Sequence, residues 1–439
     1  MTRSGEPGRV GGVLAAPASK SSTQRAIACA LLAPGQGAAG EGESRLIGPG
    51  RSDDCLAALG VAAALGAAVD DRGTEIAIRG VRPAAGLALP GTDAVRELQC
   101  GESGLALRMF SPIAALFPGK SRLIASGSLR QRPVSMIEGP LMVLGAACET
   151  AAGRPPVTVS GPLRGGRAIV DGRESSQFLT GLLIALPLAE GDSILEVENL
   201  ASAGYVALTI DTMSVFGVEV EVVIAGEARR YRVRGGQSYR PRAFRVEGDW
   251  SGAAFPLVAA AIAGRPEGLA VGNLQAGSLQ PDRGVVEALR AAGALVEWEG
   301  EALRVRPAPL RAFEFDARQS PDLFPPLAVL AAACPGESRL RGTGRLHAKE
   351  SDRAASVIDC LGTLGVEARV EGDLMIVRGV GPGGCFTGGL VDARGDHRIA
   401  MAAAVAGLAA SGRVEISGAE CVAKSWPGFY ADLEAVVSR

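Results

Sequence analysis

The sequence predicts an α/β fold, of the α+β type, in which two similar domains each contain three repeated strand-helix-strand-helix-strand units. Two regularities support this prediction. The first is that a polar or charged cluster opens an apolar helical stretch at six places: Lys20, Glu102, Ser175, Asp249, Asp322 and Asp396. By subtraction, the successive spacings are 82, 73, 74, 73 and 74 residues. A repeat of this length and mixed composition indicates globular units rather than a thin solenoid.

The second regularity lies between these helices, where an amphipathic helix leads through a small turn into a short strand of alternating character. Each of these five turns contains a glycine among mostly apolar residues: Gly66, Gly145, Gly217, Gly293 and Gly365. The alternation that follows is typical of a strand with one buried face. We therefore predict six copies of the unit, the last of which is cut short at Arg439.

The first unit shows how each of these helices is expected to begin. Residues 13–16 are apolar and predict a strand, residues 17–23 are mostly small and polar and predict an N-cap, and residues 26–32 predict the helix. Lys20 and Arg25 therefore flank a helix N-terminus. Free backbone N–H groups and the positive end of the helix dipole favour an anion at such a position.

A domain boundary is predicted at residues 235–241, where glycines and a proline interrupt the repeat. One domain is expected to comprise residues 20–239, and the other residues 240–439 together with 1–19. The N-terminal segment is assigned to the second domain because its strand has no helix before it and can cross over to complete the other sheet. An interdomain cleft is expected to receive the helix N-termini.

Composition limits the classes of partner. The chain has 439 residues, of which 47% are apolar, and this is enough for the cores of two domains. Its formal net charge of −2 and its pI near 6.0 give no overall attraction to nucleic acid, so an anion site requires a local concentration of Lys and Arg. Since the longest apolar runs fall short of the ~20 residues that span a bilayer, no membrane partner is expected. The expected partner is a small molecule.

The cysteines and histidines argue against a metal site. Eight cysteines are scattered without a CxxC pair, and two histidines are too few for a zinc-type ligand set assembled by spacing. Residues 1–12 contain no apolar signal-peptide core. A cytoplasmic protein with reduced thiols and no bound metal is therefore expected.

Positively charged residues are concentrated near the ends of the predicted elements. Taken singly, such a cluster is more often an N-cap with solvated charges. Taken together, they can bind several anionic groups if the helix N-termini face one cleft. The residues concerned are Lys20, Arg25, Arg108, Arg132, Lys349, Arg353, Arg398 and Lys424.

Two carboxylates lie among these cations. Alone, Asp322 is readily explained as a helix N-cap, and Glu350 as a partner in helix-surface ion pairs. Inside a cleft lined by cations, the same two residues become candidates for a general base and a general acid.

Seven segments of the chain, in order, resemble the EPSP synthase family of 3-phosphoshikimate 1-carboxyvinyltransferases: residues 20–25, 104–108, 132–133, 175–180, 349–353, 396–398 and 423–425. The resemblance covers nearly the whole chain. It implies two domains that close over a cleft in which phosphoenolpyruvate meets shikimate 3-phosphate. The implied reaction transfers the enolpyruvyl group to the 5-hydroxyl of shikimate 3-phosphate and releases phosphate, in the shikimate pathway that leads to chorismate and the aromatic amino acids.

The resemblance also implies roles for individual residues. Shikimate 3-phosphate would be held by Lys20, Ser21, Arg25, Ser175, Ser176, Gln177, Ser202, Tyr205, Asp322 and Lys349. Phosphoenolpyruvate would be held by Lys20, Gly104, Arg132, Gln177, Arg353, Arg398 and Lys424, and His397 is a further substrate-binding candidate. Such highly charged substrates need many cations, and guanidinium groups can bind them in bidentate fashion.

The family's chemistry is an addition followed by an elimination. By resemblance, Asp322 would accept the hydroxyl proton, while either Glu350 or Lys20 would handle the proton at the methylene carbon. No cofactor and no metal are expected, because Lys and Arg provide the electrostatic stabilisation. A monomer is expected.

The chain departs from the family pattern at two places. The family usually has Asn-Ala-Gly-Thr where this chain has residues 102–105, Glu-Ser-Gly-Leu, and it usually has Asn where Arg345 stands. A carboxylate at Glu102 that faced an anionic substrate would repel it. We therefore expect the Glu102 side chain to turn away from the ligand or to pair with a cation.

Two alternative functions share features of this sequence. An enolpyruvyl transferase that acts on UDP-N-acetylglucosamine typically has Lys-Asn at the first motif and a catalytic Cys in a mobile loop. Here Lys20 precedes Ser21, and residues 175–177 suit a smaller acceptor. The other possibility is a non-catalytic paralogue that binds phosphometabolites on the same fold. The presence of both Asp322 and Glu350 argues against it.

Overall fold

The computed structural model describes residues 2–35, 42–83, 95–173, 175–225, 228–347, 349–381 and 384–438. The chain divides into two compact units. The N-terminal unit is Ser19–Val246, and the C-terminal unit is Glu247–Arg439 together with Met1–Ala18. The boundary that the sequence suggested at 239/240 therefore moves to 246/247. Its physical cause is a strand at Ala243–Arg245, which pairs in parallel with residues 45–47 and so belongs to the N-terminal unit.

Twelve α-helices form within the described residues. In chain order they are α1 (Lys20–Leu31), α2 (Asp53–Ala64), α3 (Gly104–Ala114), α4 (Glu138–Val143), α5 (Gln177–Ala185), α6 (Ala203–Val215), α7 (Trp250–Ala263), α8 (Val285–Ala291), α9 (Phe324–Ala333), α10 (Arg353–Thr363), α11 (His397–Gly407) and α12 (Phe429–Val436). The odd-numbered helices are those that follow the polar clusters, and every residue of α3 and α11 is buried. The even-numbered helices are buried on one face and exposed on the other. In α10, for example, the buried positions recur with helical spacing.

The strands of the first half of the chain are short. They are β1 (Thr2–Gly5), β2 (Arg9–Ala15), β3 (Ser44–Ile47), β4 (Ala68–Asp71), β5 (Glu75–Arg79), β6 (Arg96–Gln99), β7 (Lys120–Ile124), β8 (Ala147–Ala151), β9 (Arg154–Ser160), β10 (Gly166–Asp171), β11 (Ser193–Glu198), β12 (Glu221–Ala225), β13 (Ala228–Val233) and β14 (Ala243–Arg245). The strands of the second half are β15 (Gly264–Gly272), β16 (Leu295–Glu299), β17 (Ala302–Arg306), β18 (Glu314–Asp316), β19 (Pro335–Arg341), β20 (Glu367–Glu371), β21 (Leu374–Val380), β22 (Gly389–Asp392), β23 (Val414–Ser417) and β24 (Val437–Ser438).

The N-terminal unit contains three four-stranded sheets with one topology: β14-β3-β5-β4, β6-β7-β9-β8 and β10-β11-β13-β12. In each sheet the first two strands are parallel and the last two form an antiparallel hairpin. The repeat therefore ends in two strands rather than in the single strand that the sequence suggested. The chain reverses direction between these two strands at tight turns such as the one at Gly73, whose φ of 81° suits glycine.

The C-terminal unit contains sheets of the same kind, and two strands from the start of the chain, β1 and β2, take part in them. Its sheets are β16-β17-β15-β2-β24, β18-β19-β21-β20 and β1-β23-β22. The first long strand of the chain, β2, crosses over as expected and pairs in parallel with β15. β2 would be the first strand of the first repeat in the N-terminal unit. In the sheet of that repeat, β14 pairs in parallel with β3 instead. The shortened last repeat receives β1, which pairs antiparallel with β23.

Each unit has its own apolar core, built around its odd-numbered helices. In the N-terminal unit, α3 and α5 approach so closely that a Cβ atom on Gly181 would lie 2.3 Å from the Met109 carbonyl oxygen. Such a contact would force the two helix backbones apart. Glycine at this position therefore sets the spacing of α3 and α5, which carry predicted site residues at their N-termini.

We predict that Gly181→Ala lowers the free energy of unfolding by about 1–3 kcal/mol, because the added methyl group overpacks the α3–α5 contact. The measurement is the urea midpoint of unfolding. Gly60→Ala is the matched control, since Gly60 lies exposed within α2 and a Cβ atom there meets nothing within 4 Å. That variant should gain stability by about 0.5–1 kcal/mol through helix propensity. A Gly181→Ala variant as stable as the control would contradict the assigned contact.

Candidate active site

In the N-terminal unit, the N-terminal turns of α1, α3 and α5 are joined by hydrogen bonds. The Ser103 hydroxyl donates to the Gln24 amide oxygen over 3.1 Å, and Arg108 Nη1 donates to the Gln177 amide oxygen over 2.9 Å. Ser19 caps α1 and Ser103 caps α3, each by accepting a backbone N–H of the first turn. Three helix starts, with their N–H groups and dipoles, are thus brought together where an anion is favoured.

Lys20 is the first residue of α1, and its ammonium group lies 2.9 Å from Asp54 Oδ2. Both side chains are only slightly exposed, at 16% for Lys20 and 11% for Asp54. Asp54 comes from α2, and sequence reasoning did not select it. The pair orients the ammonium group while leaving part of it accessible to a ligand.

Arg25 is almost completely buried, and its described hydrogen bonds go to neutral acceptors. Its guanidinium donates to the Thr209 hydroxyl at 2.9 Å, the Ser21 carbonyl at 2.8 Å and the Tyr205 carbonyl at 3.2 Å. It also lies over the Tyr205 ring, 5.5 Å from its centre. Burial lowers the pKa of Arg25 to about 10, so the group is still a cation at neutral pH. A buried cation with such partners attracts an anionic ligand.

Gly104 begins α3, and two guanidinium groups converge on it. A Cβ atom at Gly104 would lie 2.9 Å from Arg108 Nη1 and 3.0 Å from Arg132 Nη1. Arg108 is fixed in turn, because its Nη2 donates to the Pro133 carbonyl over 2.9 Å. The absence of a side chain at Gly104 lets both cations approach a helix N-terminus.

The remaining predicted residues of this unit lie at the starts of α5 and α6. Ser175 Oγ accepts the Gln177 N–H at 3.1 Å, and Ser176 is buried beside it. Ser202 is buried in the left-handed conformation, with a φ of 58°, directly before α6. Such a φ is uncommon for serine and costs energy, which is a feature of ligand-binding turns. Tyr205 follows in the first turn of α6 and contacts Arg25.

In the C-terminal unit, Asp322 lies at the centre of three cations. Its Oδ1 is 2.7 Å from Arg353 Nη1 and 3.9 Å from Lys349 Nζ, and its Oδ2 is 3.0 Å from Arg398 Nη2. Asp322 precedes α9, while Arg353 begins α10 and Arg398 lies in the first turn of α11. The fold thus brings helix starts that are distant in sequence to one carboxylate.

These charges change the protonation of two groups. Burial favours the neutral acid at Asp322, but the charges of Arg398, Lys349 and Arg353 outweigh it and hold the pKa of Asp322 well below its usual range. At Lys349, burial lowers the pKa to about 8, although Asp322 works in the opposite direction. Asp322 is therefore ionised at neutral pH, and Lys349 loses its charge in mildly alkaline solution.

Arg353 has no exposed side-chain surface and is held by three carboxylates. Besides Asp322, it donates to Glu350 and, through Nε at 2.9 Å, to Asp396. Burial opposes the charge of Arg353, but Asp396, Glu350 and Asp322 together raise its pKa. Asp396 is also the N-cap of α11, where it accepts the Arg398 N–H at 3.0 Å. Its role in fixing Arg353 could not be read from the motif.

Three further hydrogen bonds lie near the start of α11. Arg398 donates to the Ser251 hydroxyl at the start of α7, and His397 Nε2 is hydrogen-bonded to Arg398 Nη1. Lys424 donates to the Gly395 carbonyl at 2.8 Å, in the turn before α11. Ser251 was not among the predicted site residues, because it was read only as part of the polar cluster that opens α7 at Asp249.

Glu102 and Arg345, which depart from the family pattern, both make hydrogen bonds. Glu102 accepts the Ser128 N–H at 2.9 Å and the Ser128 hydroxyl at 3.0 Å, a partner that was not foreseen. Arg345 Nη1 donates to the Arg318 carbonyl at 3.0 Å. Burial lowers the pKa of Arg345, against the opposing charge of Asp322.

The part of the chain that the structure describes lacks two features. No group of three or more His, Cys, Asp or Glu side chains there could hold a metal ion. No helix among the same residues is long and apolar enough to cross a membrane.

Comparisons with known proteins identify the family of this chain. The sequence matches the family model of EPSP synthase (3-phosphoshikimate 1-carboxyvinyltransferase) over residues 5–433. The 3-phosphoshikimate 1-carboxyvinyltransferase of Aeropyrum pernix is 42% identical over 434 residues, which is 99% of this chain and 95% of that protein. The protein of the same name from Methanocorpusculum labreanum is 39% identical over 427 residues, or 97% of this chain and 96% of its own length.

Solved structures agree with the sequence matches. The EPSP synthase of Acinetobacter baumannii superposes with a TM-score of 0.79 at 28% identity and covers 100% of both chains. The enolpyruvyl transferase NikO of Streptomyces tendae has a TM-score of 0.74 over 100% of this chain and 97% of its own. Its identity is 18%, so it supports the fold alone. Because the family model and these relatives match nearly the whole length, the chain belongs to the EPSP synthase family.

Proposed function

We propose that this protein transfers the enolpyruvyl group of phosphoenolpyruvate to the 5-hydroxyl of shikimate 3-phosphate and releases phosphate. The observation that carries the proposal is the ionised carboxylate of Asp322, which contacts Lys349, Arg353 and Arg398. Such a cluster combines a proton acceptor with binding groups for anions. Family membership and the names of the relatives support the same reaction. We further propose that the protein acts as a monomer in the cytoplasm.

The shikimate 3-phosphate site is proposed to centre on the N-terminal unit. Arg25 supports this, since it is a buried cation whose described hydrogen-bond acceptors are neutral. The strained turn at Ser202 and the start of α5 supply hydroxyl and amide groups for the ring and phosphate. The residues assigned to this substrate are Lys20, Ser21, Arg25, Ser175, Ser176, Gln177, Ser202, Tyr205, Asp322 and Lys349.

Phosphoenolpyruvate is proposed to be bound mainly by guanidinium groups. Arg132 supports this assignment because it meets the start of α3 at Gly104. Arg353 and Arg398 belong to the Asp322 cluster, where an anionic substrate can compete with the carboxylate for them. The residues assigned are Lys20, Gly104, Arg132, Gln177, Arg353, Arg398 and Lys424, with His397 beside Arg398.

The chemistry then proceeds by addition and elimination. The 5-hydroxyl oxygen attacks C2 of phosphoenolpyruvate, its proton passes to Asp322, and the methylene carbon takes up a proton. A proton then leaves the resulting methyl group, and the C–O bond to phosphate breaks. Glu350, which pairs with Arg353, and Lys20, which pairs with Asp54, are the two candidates for proton transfer at carbon.

Substrate binding should make Asp322 a better base. In the ligand-free protein, three cations lower its pKa. When a substrate carboxylate or phosphate shares those cations, their effect on Asp322 weakens and its pKa rises. Proton transfer from the hydroxyl is therefore favoured only once the anionic substrates are in place.

We predict that Asp322→Asn lowers the rate of phosphate release by about 10²–10⁴-fold, because the amide cannot accept the hydroxyl proton. The assay measures phosphate release from phosphoenolpyruvate with and without shikimate 3-phosphate. Asp316→Asn is the matched control, since Asp316 makes an exposed ion pair with Arg318 in the same unit. Near-normal turnover in Asp322→Asn would remove that residue from the mechanism, and a wild-type protein that releases no phosphate would refute the proposed function.

A second prediction concerns pH. As the pH rises through about 8, Lys349 loses its proton, so kcat/KM for shikimate 3-phosphate should fall. Lys349→Arg keeps its charge to much higher pH, and its alkaline decline should move upward by at least about one pH unit. The measurement is the pH profile of kcat/KM at saturating phosphoenolpyruvate. An identical alkaline limb in both proteins would show that another group causes it.

A further inference from the structure

Glu102 connects two segments of the N-terminal unit that are separate in sequence. It lies in the loop just before α3 and accepts two hydrogen bonds from Ser128, one from the N–H at 2.9 Å and one from the hydroxyl at 3.0 Å. Both donors reach the same carboxylate oxygen, Oε2. Ser128 belongs to a short 3₁₀ turn, Gly127–Gln131. The carboxylate thus links that turn to the loop, in addition to the backbone hydrogen bond that the Ser126 N–H donates to the Gly101 carbonyl at 2.8 Å.

Gly127 makes room for this carboxylate. A Cβ atom at Gly127 would lie 2.2 Å from the Glu102 carboxyl carbon and 2.3 and 2.6 Å from its two oxygens. Real Cβ atoms do not approach other atoms this closely, so Glu102 occupies the space that any other residue at 127 would fill. The φ of Gly127 is 49°, a conformation that also suits glycine. Glu102 and Gly127 therefore fit as a pair.

The attached turn leads directly to Arg132. Arg132 is the C-cap of the turn, and its N–H donates to the Leu129 carbonyl over 3.1 Å. The Arg132 guanidinium meets Gly104, two residues after Glu102, at the start of α3. The two segments joined by Glu102 are therefore the same two that bring a cation to a helix N-terminus.

We propose that Glu102 is a positioning residue for phosphoenolpyruvate. Through Ser128, it holds the turn that presents Arg132 against the start of α3, and Gly127 provides the space. This inference rests on the proposed function in assigning Gly104 and Arg132 to phosphoenolpyruvate. It also explains how a carboxylate is accommodated beside an anion site, because its charge is engaged by two hydrogen-bond donors.

Steady-state kinetics of the full chain, with each substrate varied in turn, tests the inference. Glu102→Ala removes the acceptor and should raise the KM for phosphoenolpyruvate about tenfold, with kcat changed by less than about twofold. Glu102→Gln keeps an oxygen that can accept both Ser128 donors, and its KM should stay within about threefold of wild type. Ser128→Ala removes only the hydroxyl and should fall between these two.

A double-mutant cycle tests the pairing of Glu102 with Gly127. Gly127→Ala alone should displace the carboxylate and raise the KM for phosphoenolpyruvate about as much as Glu102→Ala does. In the Glu102→Ala background the same change should have a clearly smaller effect, because the methyl group then has no carboxylate to displace. Additive effects of the two changes would refute the pairing. The strain of alanine at a positive φ is present in both backgrounds, so its effect cancels when the two changes in KM are compared.

Two further variants separate the inference from the function on which it rests. Glu138→Ala is the control, since Glu138 likewise accepts the N–H and the hydroxyl of one residue, Thr150. Its KM for phosphoenolpyruvate should remain near wild type. Arg132→Met tests the substrate assignment and should raise that KM by at least about tenfold.

The outcomes are distinct. If Arg132→Met raises the KM for phosphoenolpyruvate but Glu102→Ala does not, the positioning role is refuted and the assignment of Arg132 stands. If Arg132→Met leaves the KM unchanged, the proposed phosphoenolpyruvate site fails, and the inference fails with it. A Glu102→Gln variant whose KM falls severalfold would show that the carboxylate faces the substrate. Equal losses for both substrates in Glu102→Ala would indicate general structural damage and would also refute the positioning role.

Discussion

The burial of apolar helices is the constraint on which the rest of the structure depends. Helices such as α3 and α11 are covered along their whole length, so their bodies cannot carry solvated charge. Their N-termini still present unpaired N–H groups and a positive dipole, which must be satisfied by caps, side chains or ligands. The ionisable residues of these two helices therefore lie at the helix starts, within the first five positions, at Arg108 in α3 and at His397 and Arg398 in α11. Within each unit, the packing of three such helices brings those starts together.

One buried arginine in each unit illustrates two ways of satisfying a buried charge. In the C-terminal unit, Arg353 contacts three carboxylates, those of Asp322, Glu350 and Asp396. In the N-terminal unit, the described hydrogen bonds of Arg25 go to neutral groups. An anion that binds near Arg25 meets a cation with no described carboxylate partner. An anion that binds near Arg353 must share the guanidinium group with Asp322. Because this weakens the effect of Arg353 on the carboxylate, substrate binding raises the basicity of Asp322.

Glu102 shows how a local departure from a family pattern can be compensated. A carboxylate beside an anion site is unfavourable in isolation. Here its space is provided by the missing side chain of Gly127, and its charge is met by the N–H and hydroxyl of Ser128. The compensation lies about 25 residues along the chain, in the turn that carries Arg132. The change at Glu102 is therefore best understood together with that turn.

The sequence by itself determined the features that depend on neighbouring residues. The near-constant spacing of polar helix starts, the caps at Ser19 and Ser103 and the apolar runs behind them are local properties, so the helices begin at or within a few residues of the predicted positions. The family resemblance likewise pointed to Asp322, Arg353 and Arg398, which the structure brings together. The hairpin that ends the complete repeats was missed, because one interrupted strand and two paired strands have similar alternation.

Only the tertiary structure decided which distant residues meet. Asp54 pairs with Lys20 across 34 positions of sequence, Asp396 with Arg353 across 43, and Ser103 with Gln24 across 79. The parallel pairing of β14 with β3 moved the domain boundary to 246/247 in the same way. Each of these pairings depends on how whole elements pack, and composition and periodicity within one segment contain no information about the partner that another segment will supply.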